Sequence, residues 1–193
     1  MVEKQQPQPH PTRRHKDLDS VFAECNGKDV ALVRDNDIFY LVLGKSDNVV
    51  SSTMIADVHA RLTEVEESEG AAVLITLSSQ EGGAFCSGFD PAELREGARA
   101  RFKLALQFQR LLARVLTLPL PSFCVISGNT TSAGYFFALA HDFRIMKESK
   151  ATIGITDLRL GATIPPAYGA MLRNLLTPEA VRLLVYGGLY KAT

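Results

Sequence analysis

The alternation of apolar and polar positions divides the chain into short strands and amphipathic helices. VALVR at 30–34 and IFYLVL at 38–43 are β-rich runs on either side of Asp35-Asn36-Asp37, which predicts a hairpin. From Ser51 to Glu67 the apolar residues Met54, Ile55, Val58, Leu62 and Val65 recur at helical spacing, with Ser51 or Ser52 available as the N-cap. AAVLITL at 71–77 is short and apolar throughout, as expected of a parallel strand buried on both faces. Between Ala98 and Leu118, Phe102, Ala105, Leu106, Leu112, Val115 and Leu116 predict a long helix, ended by Pro119 and Pro121. Strands at 122–127, 142–147 and 151–155 follow, with helices at 133–140, Pro166–Leu176 and Pro178–Tyr186, the last capped by Thr177. Strands alternating with helices imply an α/β fold with right-handed crossovers.

Two stretches share one form. Ala84–Leu94, AFCSGFDPAEL, reads as an apolar strand, a glycine-containing loop and a helix opened by Pro91. Ser127–Ile145, SGNTTSAGYFFALAHDFRI, reads as strand, tight loop and a buried helix that stops at His141-Asp142. A helix that starts directly after such a loop leaves backbone N–H groups unpaired at its positive end. Two loops of this kind, facing one another, supply one N–H each to a substrate oxyanion.

Composition narrows the partners. A length of 193 residues suits one domain, and a formal charge of zero gives no long-range pull on nucleic acid or an anionic membrane. Met1–Asp17 is rich in Gln, Pro and basic residues with little to bury, so it reads as a disordered leader to a domain at 18–193. Cys25, Cys86 and Cys124 are odd in number and lack CxxC spacing, which indicates neither a disulfide framework nor a zinc site and fits a reducing compartment. No apolar run approaches the ~20 residues that span a bilayer, and the N-terminus lacks a signal-peptide segment. The expectation is a soluble, cytoplasmic or otherwise intracellular protein.

Taken in register, AFCSGFDPAEL, LPLPSFCVISGNTTSAGYFFALAHDFRIM and DLRLGATIPP resemble the crotonase (enoyl-CoA hydratase/isomerase) superfamily, most closely its plant-type peroxisomal Δ3,Δ2-enoyl-CoA isomerases. The resemblance runs from about Asp29 to Thr193. It implies a spiral of ββα turns that holds an acyl-CoA thioester carbonyl with two backbone N–H groups, those of Phe89, after Gly88, and of Ala133, before Gly134. Removing the proton beside a thioester carbonyl puts negative charge on its oxygen, which is what the paired donors stabilise.

The resemblance also assigns the acid–base chemistry. The isomerases move a proton with a Glu followed, after three residues, by Gly; in DLRLG that position is Asp157, one methylene shorter. On the residues alone, Asp157 reads as a solvated or capping Asp in a loop before Leu158; it is the family position that sets the base beside that reading. The hydratases carry a second Glu where this chain has Phe136, so isomerisation in fatty-acid β-oxidation is implied over hydration, with Phe136 and Phe137 as an apolar wall that excludes water. No metal or redox cofactor is implied, since coenzyme A is part of the substrate. Lys45, Arg95, Arg99 and Lys103 are candidates for its phosphates, although any one of them reads first as a solvated surface charge. At YGGLYKAT the chain stops where the family continues into helices that cover the site and support trimers or hexamers, so the C-terminal helical region reads as truncated. Localisation to the peroxisome rests on the resemblance. The alternative from another class is a weak or inactive acyl-CoA-binding or assembly subunit.

Three residues are given structural readings. Asp90 is the cap of the helix that Pro91 opens, Cys86 a small buried residue, and His141 a helix-terminal structural histidine, since no Ser or Cys elbow accompanies a His141-Asp142 relay.

Overall fold

A computed structural model describes residues 15–45, 47–80, 83–148, 151–186 and 188–191. In chain order its elements are α1 (Leu18–Glu24), β1 (Val30–Asp35), β2 (Ile38–Leu43), α2 (Ser52–Glu66), β3 (Val73–Ser78), α3 (Pro91–Arg95), α4 (Ala98–Leu116) and β4 (Ser122–Ile126). There follow β5 (Thr130–Thr131), α5 (Ala133–Leu139), β6 (Phe143–Met146), β7 (Thr152–Gly154), a 3-10 turn (Thr156–Leu160), α6 (Pro166–Leu175), α7 (Pro178–Tyr186) and β8 (Tyr190–Lys191).

Among the described residues the main sheet has the order β1-β2-β3-β4-β6, antiparallel at the hairpin and parallel thereafter. A second sheet has the order β5-β7-β8, with parallel bridges Cys86↔Thr130 and Val50↔Phe89 beside it. Each turn therefore runs through a long strand, a short strand or bridge, and a helix. β2 divides its side chains by strand alternation: Phe39, Leu41 and Leu43 enter a large core with α2, α4 and α5, while Tyr40 and Val42 enter a smaller one with Val21 of α1 and Cys25, its C-cap. No described helix is long and apolar enough to cross a membrane.

α2 follows its pattern closely: the five apolar residues expected inside are buried, and Ser51 Oγ accepts from Met54 N at 3.1 Å. The phase of α4 differs from expectation. Its buried stripe is Leu104, Phe108, Leu111, Leu112 and Val115, whereas Phe102 is 72% exposed and Leu106 and Leu116 also face solvent. Apolar residues lie on more than one side of this helix, and packing on the sheet selects the stripe with the continuous i, i+4, i+7, i+8 repeat. Ala84–Cys86 contributes a single bridge where a strand was expected, because only Cys86 finds a partner in the second sheet. His15, Lys16 and Asp17, the end of the expected leader, are among the described residues. Lys16 N and His15 Nδ1 meet Asp35 Oδ2 at 2.7 and 3.3 Å, and Asp17 caps α1 through Ser20 N at 2.8 Å, while residues 1–14 lie outside the described residues.

His141 is structural, and its bonds fix the tautomer. Nδ1–H donates to Phe137 O at 2.9 Å, so Nε2 accepts from the Thr76 hydroxyl at 2.8 Å. Asp142 pairs instead with Ser122, accepting from its N–H and hydroxyl at 2.8 Å each, so no His–Asp relay exists. Burial lowers the His141 pKa from 6.5 to about 4. The unfolded chain thus binds a proton that the fold refuses, and stability complete above pH 6.5 should fall as pH drops toward 4, by on the order of 3 kcal/mol over the whole window. His59, lowered by burial and by Arg114, acts in the same direction. Urea midpoints at pH 7 and pH 4.5 check this; equal midpoints contradict it.

Candidate active site

The loop 86–90 is held from both sides, and this determines where its N–H groups point. Val50 N donates to Gly88 O at 2.7 Å and Asp90 N donates to Val50 O at 3.0 Å. In a parallel bridge of that kind the intervening residue, Phe89, turns its own N–H and C=O away from the partner. Gly88 sits at φ 102°, in the left-handed region that suits glycine, and Asp90 caps α3 by accepting from Ala92 N at 2.7 Å, as expected. The second loop is strapped beside the first: Thr131 N donates to Cys86 O at 3.1 Å and the Thr131 hydroxyl to Ser87 O at 3.0 Å. A Cβ built on Gly88 would lie 3.8 Å from Ala133 N, so the residue before one expected donor adjoins the other. Among the described residues neither the Phe89 nor the Ala133 N–H has an acceptor. α5 has seven residues, so the available donors are individual N–H groups, not the end of a long dipole.

Phe89 and Ala133 both line a cavity of about 390 Å³, together with Gly88, Phe136, Asp157, Ile164 and Tyr168. Asp157 is carried in by the 3-10 turn, where its carbonyl accepts from Ala162 N at 3.1 Å. Its carboxylate caps nothing: among the described residues no hydrogen bond or ion pair engages it, so the capping reading is not realised. Phe136 forms the apolar wall, stacked on Tyr168 at 4.5 Å between centroids; Phe137 turns into the core against His141 and takes no part in it. Gly134 does not line the cavity but packs on Cys86. Burial pushes the Cys86 thiol up to about 12, so it is no nucleophile near neutrality.

The cations are placed differently from expectation. Lys45 is held by Asp29 at 2.6 Å in a separate cleft, and Arg95, Arg99 and Lys103 do not line the cavity. Arg101, from the first turn of α4, does. Among the described residues no group of three or more His, Cys, Asp or Glu is arranged to hold a metal ion.

Comparison with known proteins gives this geometry a context. The sequence profile described as enoyl-CoA hydratase/isomerase matches residues 36–193. The chain belongs to the enoyl-CoA hydratase/isomerase family. It is 26% identical over 159 residues to the peroxisomal enoyl-CoA delta isomerase 2 of Arabidopsis thaliana, covering 78% of this chain and 65% of that protein. It is 30% identical over 162 residues to the enoyl-CoA isomerase/hydratase fer4 of Mycosarcoma maydis, covering 78% and 58%. A crystal structure of an enoyl-CoA hydratase/isomerase family protein from Pseudomonas syringae superposes with a TM-score of 0.78 at 24% identity, covering 84% of this chain and 70% of that one. This likeness carries the crotonase-type fold. The chain spans 61–65% of the length of the first three curated relatives it matches.

In this family member the sequence reading missed Tyr168. Its ring is buried, its pKa is raised by burial and by the nearby charge of Asp157, and its hydroxyl is a buried donor without a partner among the described residues. The helix containing it was foreseen, and the Tyr168, Met171, Leu172 spacing marks its inner face. A buried unpaired hydroxyl is destabilising, so Tyr168→Phe is expected to leave thermal stability unchanged or raise it by ~1 kcal/mol. A clear loss of stability would mean that the hydroxyl has a partner.

Proposed function

We propose that this chain is a Δ3,Δ2-enoyl-CoA isomerase of fatty-acid β-oxidation. The carrying observation is that Asp157 and the residues of two backbone N–H groups without a described acceptor, Phe89 and Ala133, line one cavity that Phe136, Ile164 and Tyr168 wall with apolar rings and methyl groups. In this scheme the Asp157 carboxylate takes a proton from C2 of a 3-enoyl-CoA. The C2–H electrons pass into a dienolate whose charged thioester oxygen accepts from the Phe89 and Ala133 N–H groups. Losing one such donor typically costs ~3 kcal/mol in the transition state. Asp157 then returns the proton at C4, the C2=C3 bond forms and the carbonyl is restored, so nothing is consumed. Coenzyme A belongs to the substrate, and the scheme takes no metal or redox cofactor.

Phe136 stands in the wall where a hydratase needs a second carboxylate to handle water, which favours isomerisation over hydration. Arg101 at the cavity is the better candidate for a coenzyme A phosphate than Lys45, which Asp29 already engages. Peroxisomal localisation is part of the proposal, supported by the relative so named. So is homo-oligomeric assembly into a trimer or hexamer, supported by the exposed apolar side chains of Phe143 and Ile145 on β6 and Leu183 on α7. A second reading, an acyl-CoA-binding or assembly subunit of little activity, is favoured by the short reach of Asp157.

Conversion of a cis-3-enoyl-CoA to its trans-2 isomer, followed by the ultraviolet absorbance of the conjugated thioester, decides between them. Turnover supports the isomerase; acyl-CoA binding by calorimetry without turnover supports the subunit.

A further inference from the structure

Ser132 has a backbone that residues with a side chain rarely adopt, φ 54° and ψ −119°. Glycine would occupy this position without strain, so something the serine side chain does must hold it there. Its contacts reach every part of the site. The Ser132 hydroxyl is hydrogen-bonded to that of Thr156 at 3.0 Å, and Thr156 directly precedes Asp157. Its Cβ lies against Gly88, 3.3 Å from where a Cβ there would stand, and Gly88 directly precedes Phe89. Its own carbonyl carbon bonds to Ala133 N. The Ser132 N–H donates to Gly154 O at 2.9 Å, which ties the same residue to the end of β7, just before the turn that carries Asp157. Ser132 is 3% exposed, so water does not compete for its hydroxyl.

We infer that Ser132 is a positioning residue: through Gly88 it sets the spacing of the two N–H groups, and through Thr156 it locks the turn bearing Asp157 onto them. Proton transfer requires hydrogen-bond reach, and a misplacement of about 1 Å lowers rates by about 100-fold. A covalent neighbour of one donor, in contact with the strand of the other and bonded to the residue before the base, is where such a tolerance is enforced. The kinetic part of this inference rests on the isomerase reading.

The test compares the parent with Thr156→Val, Thr156→Ser, Ser132→Gly and the double variant Ser132→Gly/Thr156→Val. Thr156→Val and Ser132→Gly should each lower kcat about 10-fold, with KM raised no more than about 5-fold. Thr156→Ser, which keeps the hydroxyl, should recover most of the loss. The double variant should be no worse than the poorer single one, because the two hydroxyls form one device. A parent without turnover defeats the isomerase reading alone. The same proteins are then compared by calorimetry with hexanoyl-CoA, where Thr156→Val and Ser132→Gly should weaken binding about 5-fold and Thr156→Ser should not. The inference is overturned if Thr156→Val matches the parent in the assay that applies, if Thr156→Ser is as impaired as Thr156→Val, or if the double variant loses the product of the two single effects.

Discussion

Gly134→Ala is expected to destabilise the fold by ~4 kcal/mol and to reduce turnover at least ~100-fold in the protein that remains folded. A Cβ at this position would lie 2.7 Å from Cys86 Cβ and closer still to the Cys86 carbonyl oxygen. Those are backbone and near-backbone atoms, and they have nowhere to go. The Cys86 carbonyl is bonded to Thr131 N, Cys86 itself is fully buried, and α5 is buried along its whole length. The added methyl group therefore separates the two loops by moving α5 as a body, which carries the Ala133 N–H away from that of Phe89. Overpacking of a rigid site against backbone lies at the costly end of its usual range. Gly70→Ala is the control: φ there is 90°, with no atom within 4 Å of the added Cβ, so only the conformational penalty of ~1 kcal/mol is expected. Urea midpoints and the isomerisation assay on both variants give the comparison. A Gly134→Ala protein as stable as Gly70→Ala would show that the loops are not in the contact described.

The same contact shows how far such a site can be read from a sequence. The loops were legible because glycine, proline and a change from polar to apolar residues mark the chain's turns wherever they fall. α2 was legible because its five inward residues are its apolar residues, and Ser51 has one available use. In α4 the reading took Phe102 as inward when it is exposed, since a helix with apolar residues on several sides has no preferred phase until a sheet chooses one. α1, β5 and β8 are too short to show a period, and their existence depends on partners distant in sequence. Asp157 was placed by resemblance and does reach the cavity. Ser132, Thr156 and Arg101 were missed for a different reason. The strain of Ser132 is a property of the folded backbone, its bond to Thr156 spans 24 residues, and one arginine among several on α4 looks like any other until the cavity exists.

Asp157→Ala is expected to lower kcat by ~10³-fold or more while leaving the affinity for a saturated acyl-CoA within about threefold of the parent. Among the described residues the carboxylate is the one acidic group in the cavity lining, so in the proposed scheme removing it leaves the dienolate route without a proton acceptor, whereas Phe89, Ala133 and Phe136 remain. Asp157→Asn, which keeps the shape, should lose as much. Asp157→Glu is the informative variant. The side chain leaves a turn that is fixed through its backbone, with Ala162 N on the Asp157 carbonyl, yet no described hydrogen bond holds the carboxylate itself. In the proposed scheme it can therefore swing between C2 and C4 of the substrate, with reach as its limit. The added methylene should hold turnover at the parent's level or raise it, and a rise would identify the short side chain as the cause of a slow enzyme. Loss in Asp157→Ala and Asp157→Asn together with loss in Asp157→Glu would mean that the cavity is shaped around the shorter base. Parent-like rates in all three would remove Asp157 from the chemistry and leave the paired N–H groups as a binding device for an acyl-CoA carbonyl.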